Sequence, residues 1–129
     1  MSSHVADRLG ANKSASSLLV LFIPSVDRYE HPIEQTEWVE HALDFLGRSF
    51  GGATAFPKAK GVRRDDQRGG ELVFDEPVVI NCYTSEEAIE EHASMLRDFL
   101  VEMGSKTQQG AVGVVIDRDY LEIGFPLKD

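Results

Sequence analysis

Residues 17–24, Ser17-Leu18-Leu19-Val20-Leu21-Phe22-Ile23-Pro24, form a continuous apolar run closed by a proline. The run is too short for a buried helix, and its Val, Phe and Ile favour extended backbone. It therefore predicts a strand buried on both faces, the central strand of a sheet. Upstream, residues 1–16 (MSSHVADRLGANKSAS) carry no basic start, apolar middle and small-residue cleavage site, so they predict a disordered lead-in and not a secretion signal. Residues 17–129 then make a single domain, and the 42% hydrophobic content of the chain is enough for one core.

Downstream, Val39, Leu43, Leu46 and Phe50 recur at helical spacing, with Trp38, Ala42 and Phe45 beside them. A helix from Glu34 to Ser49 follows, ended by Gly51-Gly52, which can take a left-handed cap conformation cheaply. Ala53–Phe56 and Gly61–Arg64 read as one strand interrupted around Pro57. The turn residues Asp65 to Gly70 lead into a return strand, Glu71 to Tyr83, broken at Pro77. Thr84-Ser85-Glu86-Glu87 predicts a capping box with Thr84 as cap. It opens a second helix with a stripe of Ile89, His92, Ala93, Leu96, Phe99, Leu100 and Met103, closed at Gly104. Ala111–Ile116 and Tyr120–Phe125 make a terminal hairpin. The order β-α-β-β-α-β-β is the split βαβ plan of ferredoxin-like α+β domains with one added strand, an antiparallel sheet covered by two helices on one face. A sheet covered on one side predicts pairing with a second copy, and a homodimer is the expected state.

The helix with Glu37-Trp38 ending in Phe50-Gly51-Gly52, then Thr54, Gly61-Val62-Arg63-Arg64 and Glu76-Pro77-Val78-Val79-Ile80, resembles a family of small uncharacterised bacterial α+β proteins. The resemblance spans about Leu21 to Val115 and implies the fold and a bacterial or phage origin. Its motifs are structural, so it implies no activity.

Charge and cysteine content narrow the function classes. Twenty-two acidic against thirteen basic residues give a net charge of −9, which opposes general attraction to nucleic-acid backbones and anionic membranes. One cysteine, Cys82, permits no internal disulfide and no thiolate zinc cluster, and a cytoplasmic setting is expected. Gly47-Arg48-Ser49-Phe50-Gly51 has the G-x-S-x-G form of serine hydrolases, but lies at a helix end instead of a strand-to-helix turn and is set aside. Cys82 reads as a core thiol and His92 as a hydrogen-bonded core or boundary histidine.

Three constellations remain. Lys58, Lys60, Arg63, Arg64 and Arg68 concentrate positive charge on one hairpin of an acidic chain, a pattern suited to an anionic ligand or an acidic protein partner. Asp27, just after the first strand, stands where metal-dependent nucleases of ferredoxin-like fold carry an acid. Two copies could hold magnesium or manganese there, with Arg28 or His31 assisting. Glu37, His41 and Asp44, with Glu34, stack along one helix face as a possible divalent-metal set, although a solvated face gives the same spacing. The leading expectation is a non-catalytic, dimeric binding or adaptor module without a cofactor, engaging its partner through the basic hairpin. The alternatives are a metal-dependent phosphodiesterase or nuclease centred on Asp27, and a small-molecule-binding α/β dimer with Trp38, Tyr83 or Phe99 lining the site.

Overall fold

The structure, a computed structural model, describes residues 3–128. Strand β1, Ser17–Ile23, lies at the centre of a five-stranded antiparallel sheet. Helix α2, Gln35–Phe50, leads to the short strand β2, Thr54–Phe56. Strands β3, Gly61–Asp65, and β4, Glu71–Asp75, form a two-stranded sheet of their own before the chain returns to the main sheet as β5, Val78–Thr84. Helices α3, Glu86–Glu91, and α4, Ala93–Lys106, precede the terminal hairpin of β6, Ala111–Ile116, and β7, Asp119–Gly124. The sheet order β2-β5-β1-β6-β7 places β5 between β1 and β2. That is the split βαβ arrangement the element order predicts, with β7 as the added edge, and the α+β class with an antiparallel sheet stands as expected.

The alternation of β1 sorts the layers. Leu19, Leu21 and Ile23 are fully buried with Ile80 and Cys82 of β5 and Val112 and Val114 of β6, packed against Ala42 and Leu46 of α2 and Leu96, Leu100 and Met103 of α4. This is the core. Leu18, Val20 and Phe22 face the other way and are only half-buried, so β1 is covered fully on one face and not on both. Helix α2 ends as its glycines dictate: Gly51 takes φ 95° and its amide donates to the Gly47 carbonyl at 2.9 Å.

Four further details depart from the sequence-based reading. The lead-in contains a seven-residue helix α1, Ser3–Leu9, where disorder was expected, with Ala6 and Leu9 beside a groove that Phe50, Ala53 and Tyr83 also line. Ser85, not Thr84, caps α3, its hydroxyl accepting from the Ala88 amide at 3.1 Å, because Thr84 is still the last residue of β5. The second helix divides at His92, and α4 continues past Gly104 to Lys106. Gly104 serves packing there: a β-carbon on it would run into the ring of Phe125.

The fourth departure builds the site. Pro57 and Pro77 interrupt both arms of the long hairpin at the same level, where Ala59 donates to the Pro77 carbonyl at 2.8 Å. The ladder breaks at that point, and the outer half, β3–β4, separates from the sheet.

Candidate functional site

A cleft of about 230 Å³ lies between the inward face of β3–β4 and the face of the main sheet opposite α2 and α4. Strand alternation decides which hairpin residues face it. The register pairs Val62 with Phe74 and Arg64 with Leu72 on one side, and Arg63 with Val73 on the other. Val62, Leu72 and Phe74 are exposed, whereas Val73 is buried, so Gly61, Arg63, Val73 and Asp75 turn inward. The sheet contributes Phe22, Ala111, Gly113, Tyr120 and Glu122, and the strand ends add Pro24, Val26, Pro77 and Gln109.

Gly113 and Tyr120 fit together. Gly113 pairs with Glu122, and Tyr120 sits two residues along β7 with its ring laid across Gly113, where a β-carbon would overlap it. The Tyr120 hydroxyl donates to Glu122 Oε2 at 2.9 Å. Partial burial, then that hydrogen bond and the charge of Glu122, push the phenol up to about 12, and Arg63 acts in the opposite direction. The phenol therefore stays protonated at neutral pH and holds the Glu122 carboxylate over the cleft.

The loop between β1 and α2 clamps the hairpin at both ends. At the base, Asp75 Oδ1 accepts from the Ser25 amide at 2.8 Å and from its hydroxyl, while Ser25 Oγ accepts from Glu76 N at 3.0 Å. Near the tip, Arg28 Nη2 lies 3.1 Å from both carboxylate oxygens of the buried Asp65, and Arg68 donates to the Arg28 carbonyl at 2.8 Å. The Arg68 guanidinium also sits 4.8 Å above the Tyr29 ring. The loop is itself tied to the segment after α4: Gln108 O accepts from Arg28 N at 3.1 Å, and the buried Gln109 donates to Val26 O at 2.8 Å.

The sequence-predicted residues fall in different places. Lys58 and Lys60 are exposed in the link between β2 and β3. Arg63 and Arg64 point to opposite faces of β3, Arg64 pairs with Asp66 at 2.6 Å, and Arg68 pairs with Glu71 at 3.0 Å. The five basic residues thus form no single patch, because alternation divides them and neighbouring acids neutralise two.

Asp27 is buried with its carboxylate folded back on its own turn, Oδ1 accepting from the amides of Tyr29 at 2.8 Å and His31 at 2.9 Å. Burial raises the carboxyl, but these two amides and the nearby His31 ring outweigh it and hold the group below the ordinary aspartate value. Such an aspartate shapes a loop. The exposed His31 ring lies 3.3 Å from Asp27 Oδ2.

Glu34, Glu37, His41 and Asp44 lie along the exposed side of α2, where Asp44 pairs with Arg48 at 2.9 Å. Among the described residues, no three His, Cys, Asp or Glu side chains are grouped to share a metal ion. Trp38 and Phe99 pack edge-to-face within the helical layer at 6.1 Å, Tyr83 is exposed, and none of the three lines the cleft. Burial raises the pKa of the Cys82 thiol, as a core cysteine requires. Sequence reasoning passed over Tyr120, Glu122 and Gly113; the usable signal was a glycine in a strand, which marks close approach of another group.

Two solved structures share this fold. A phage SAM lyase in complex with S-methyl-5'-thioadenosine aligns with a TM-score of 0.67 at 18% identity, covering 91% of this chain and 95% of that one. A phage SAM lyase in the apo state aligns with a TM-score of 0.63 at 16% identity, covering 92% and 96%. No family model and no curated protein matches the sequence. The expectation of a non-catalytic adaptor is thereby corrected: both structures that share nearly the whole chain's architecture are of an enzyme, and the basic patch on which the adaptor reading rested is divided. No described helix is long and apolar enough to cross a membrane.

Proposed function

We propose that this protein is a lyase acting on a sulfonium nucleoside of the S-adenosylmethionine type in the cleft between β3–β4 and the open sheet face. The observation that carries the reading is the likeness, over more than nine-tenths of both chains, to a lyase holding S-methyl-5'-thioadenosine. It is supported by a cleft in this chain whose chemistry suits the corresponding substrate.

Releasing that thioether from S-adenosylmethionine breaks the bond between sulfur and Cγ of the aminobutyrate, and the electron pair goes to sulfur. Without water, the new bond at Cγ comes from the substrate's own carboxylate, giving a lactone, or from Cβ after loss of a proton, giving an alkene. Either way the positive charge on sulfur disappears, so removing water from the sulfonium favours the step. Phe22, Pro24, Val73 and Pro77 supply apolar wall for that purpose. Glu122 and Asp75 supply negative charge that attracts the cationic substrate. Small-molecule sites run to about 300–1,000 Å³, so a cleft of about 230 Å³ takes one end of such a ligand and leaves the rest over the exposed Tyr120.

The test is incubation of purified protein with S-adenosylmethionine and detection of S-methyl-5'-thioadenosine by mass spectrometry. Wild type should release it, and Glu122→Gln should lower the rate by about 10-fold or more through loss of a charged contact to the substrate. No release at enzyme concentrations equal to substrate would refute the assignment.

A further inference from the structure

We infer that the cleft selects ligands carrying a free carboxylate beside an ammonium group, and that Arg63 is the residue that reads the carboxylate. The inference rests on the proposed substrate class and adds which end of the substrate enters.

Arg63 is the arginine of β3–β4 left to act, and it faces the cleft, whereas Lys58 and Lys60 lie exposed in the link before β3. Among the described residues Arg28, Arg48, Arg64, Arg68 and Lys106 each pair with an acid, whereas Arg63 has neither an ion pair nor a hydrogen bond to another described residue. Its direction is fixed by the strand: Asp65, two residues on and on the same face, is buried against Arg28, so Arg63 must also turn inward. Its Nη1 comes to 3.5 Å from where a β-carbon on Gly110 would sit, and the Arg28 guanidinium comes to 3.4 Å of the same point. Two guanidiniums thus converge at the Gln109–Gly110 end of the cleft, with the carboxylate of Asp65 bound to Arg28. A local positive excess remains inside a chain whose net charge is −9.

The sheet side and the hairpin base carry the complement. Glu122 projects from β7 with its carboxylate held by the Tyr120 hydroxyl. Asp75 has Oδ1 occupied by Ser25 and its other oxygen outside those hydrogen bonds. Neither acid forms an ion pair with Arg63. Opposite charges that border one small cleft without neutralising each other are suited to a zwitterion, whose carboxylate meets the guanidinium and whose ammonium meets a carboxylate. The amino-acid end of the substrate, smaller than its nucleoside end, matches the small volume.

The experiment is calorimetric titration of wild type, Arg63→Met and Arg63→Lys with S-adenosylmethionine and with its decarboxylated analogue, which keeps the sulfonium and the amine. Wild type should prefer the carboxylate-bearing ligand by about 10- to 150-fold, the range of a charge-assisted hydrogen bond. Arg63→Met should lose that preference by weakening the first ligand alone, and Arg63→Lys should recover part of it. Circular dichroism confirms that the variants fold. Equal affinity of wild type for both ligands, or a preference that survives in Arg63→Met, overturns the inference, and so does failure of wild type to bind either at millimolar concentration. Carboxylate discrimination without release of S-methyl-5'-thioadenosine would sink the lyase reading and leave this one standing; release without discrimination would do the reverse.

Discussion

Replacing Asp65 by alanine tests how the hairpin is held over the cleft. Asp65 is 5% exposed and its side chain accepts from Arg28 Nη2 through both oxygens and from the Gln67 amide at 3.1 Å. Arg28 is itself 84% covered, taken from a side-chain exposure of 16%, and its Nε is already buried with no hydrogen-bond partner. Removing the carboxylate leaves a guanidinium with only the Gln67 carbonyl at 3.2 Å. Breaking a buried pair from one side costs about 3–5 kcal/mol, and the residual exposure of Arg28 puts the expected value near the lower figure, about 3 kcal/mol. Arg28→Met in the same background removes the stranded charge, so the double variant should be more stable than Asp65→Ala alone. Urea unfolding followed by circular dichroism gives the global loss, and amide exchange in β3–β4 shows whether the hairpin loosens first. A loss below about 0.5 kcal/mol, with unchanged exchange in the hairpin, would refute the claim that this pair anchors it.

Two further outcomes follow from the packing and the loop. Gly104→Ala drives a β-carbon into the Phe125 ring and to 3.2 Å from Val112 Cγ1, and should cost about 1–3 kcal/mol in urea unfolding despite the better helix propensity of alanine. Because the folded Asp27 carboxyl lies below its ordinary 3.8, its charge stabilises the fold fully above that value and the contribution is lost as pH falls through the folded one. The stability gap between wild type and Asp27→Asn should accordingly be largest near neutrality and close in acid; a gap that widens on acidification contradicts the loop assignment.

How far the sequence could be read depended on the range of the interaction involved. The β1 run, the α2 stripe and Gly51 specify their structure through neighbours within a turn or a strand, and all three are legible. Pro57 and Pro77 are each visible as a break, but that they stand opposite each other and release a separate two-stranded sheet is a property of pairing across 20 positions. Arg63 and Arg64 look like a pair in sequence and lie on opposite faces in β3, which period two would have disclosed once the strand was accepted. Asp65 reads in sequence only as a turn residue, because its partner Arg28 is 37 residues away. Tyr120 and Glu122 alternate like any exposed edge strand, and only Gly113 opposite them marks the place where a ring lies down.

The hairpin interrupts the chain between two strands, β2 and β5, that already pair directly with each other, Phe56 opposite Val79. Its attachment is mainly polar, led by Ser25, Arg28, Asp65, Arg68 and Asp75, with the buried Val73 as its apolar contribution, while the main apolar core closes beneath the other face of the sheet. The part that confers recognition is therefore separable from the part that confers stability. A chain with this sheet can lengthen, shorten or exchange residues 58–76 and acquire a differently shaped mouth without repacking the core between sheet and helices, which makes that insertion the natural place for substrate preference to diverge and for an engineer to intervene.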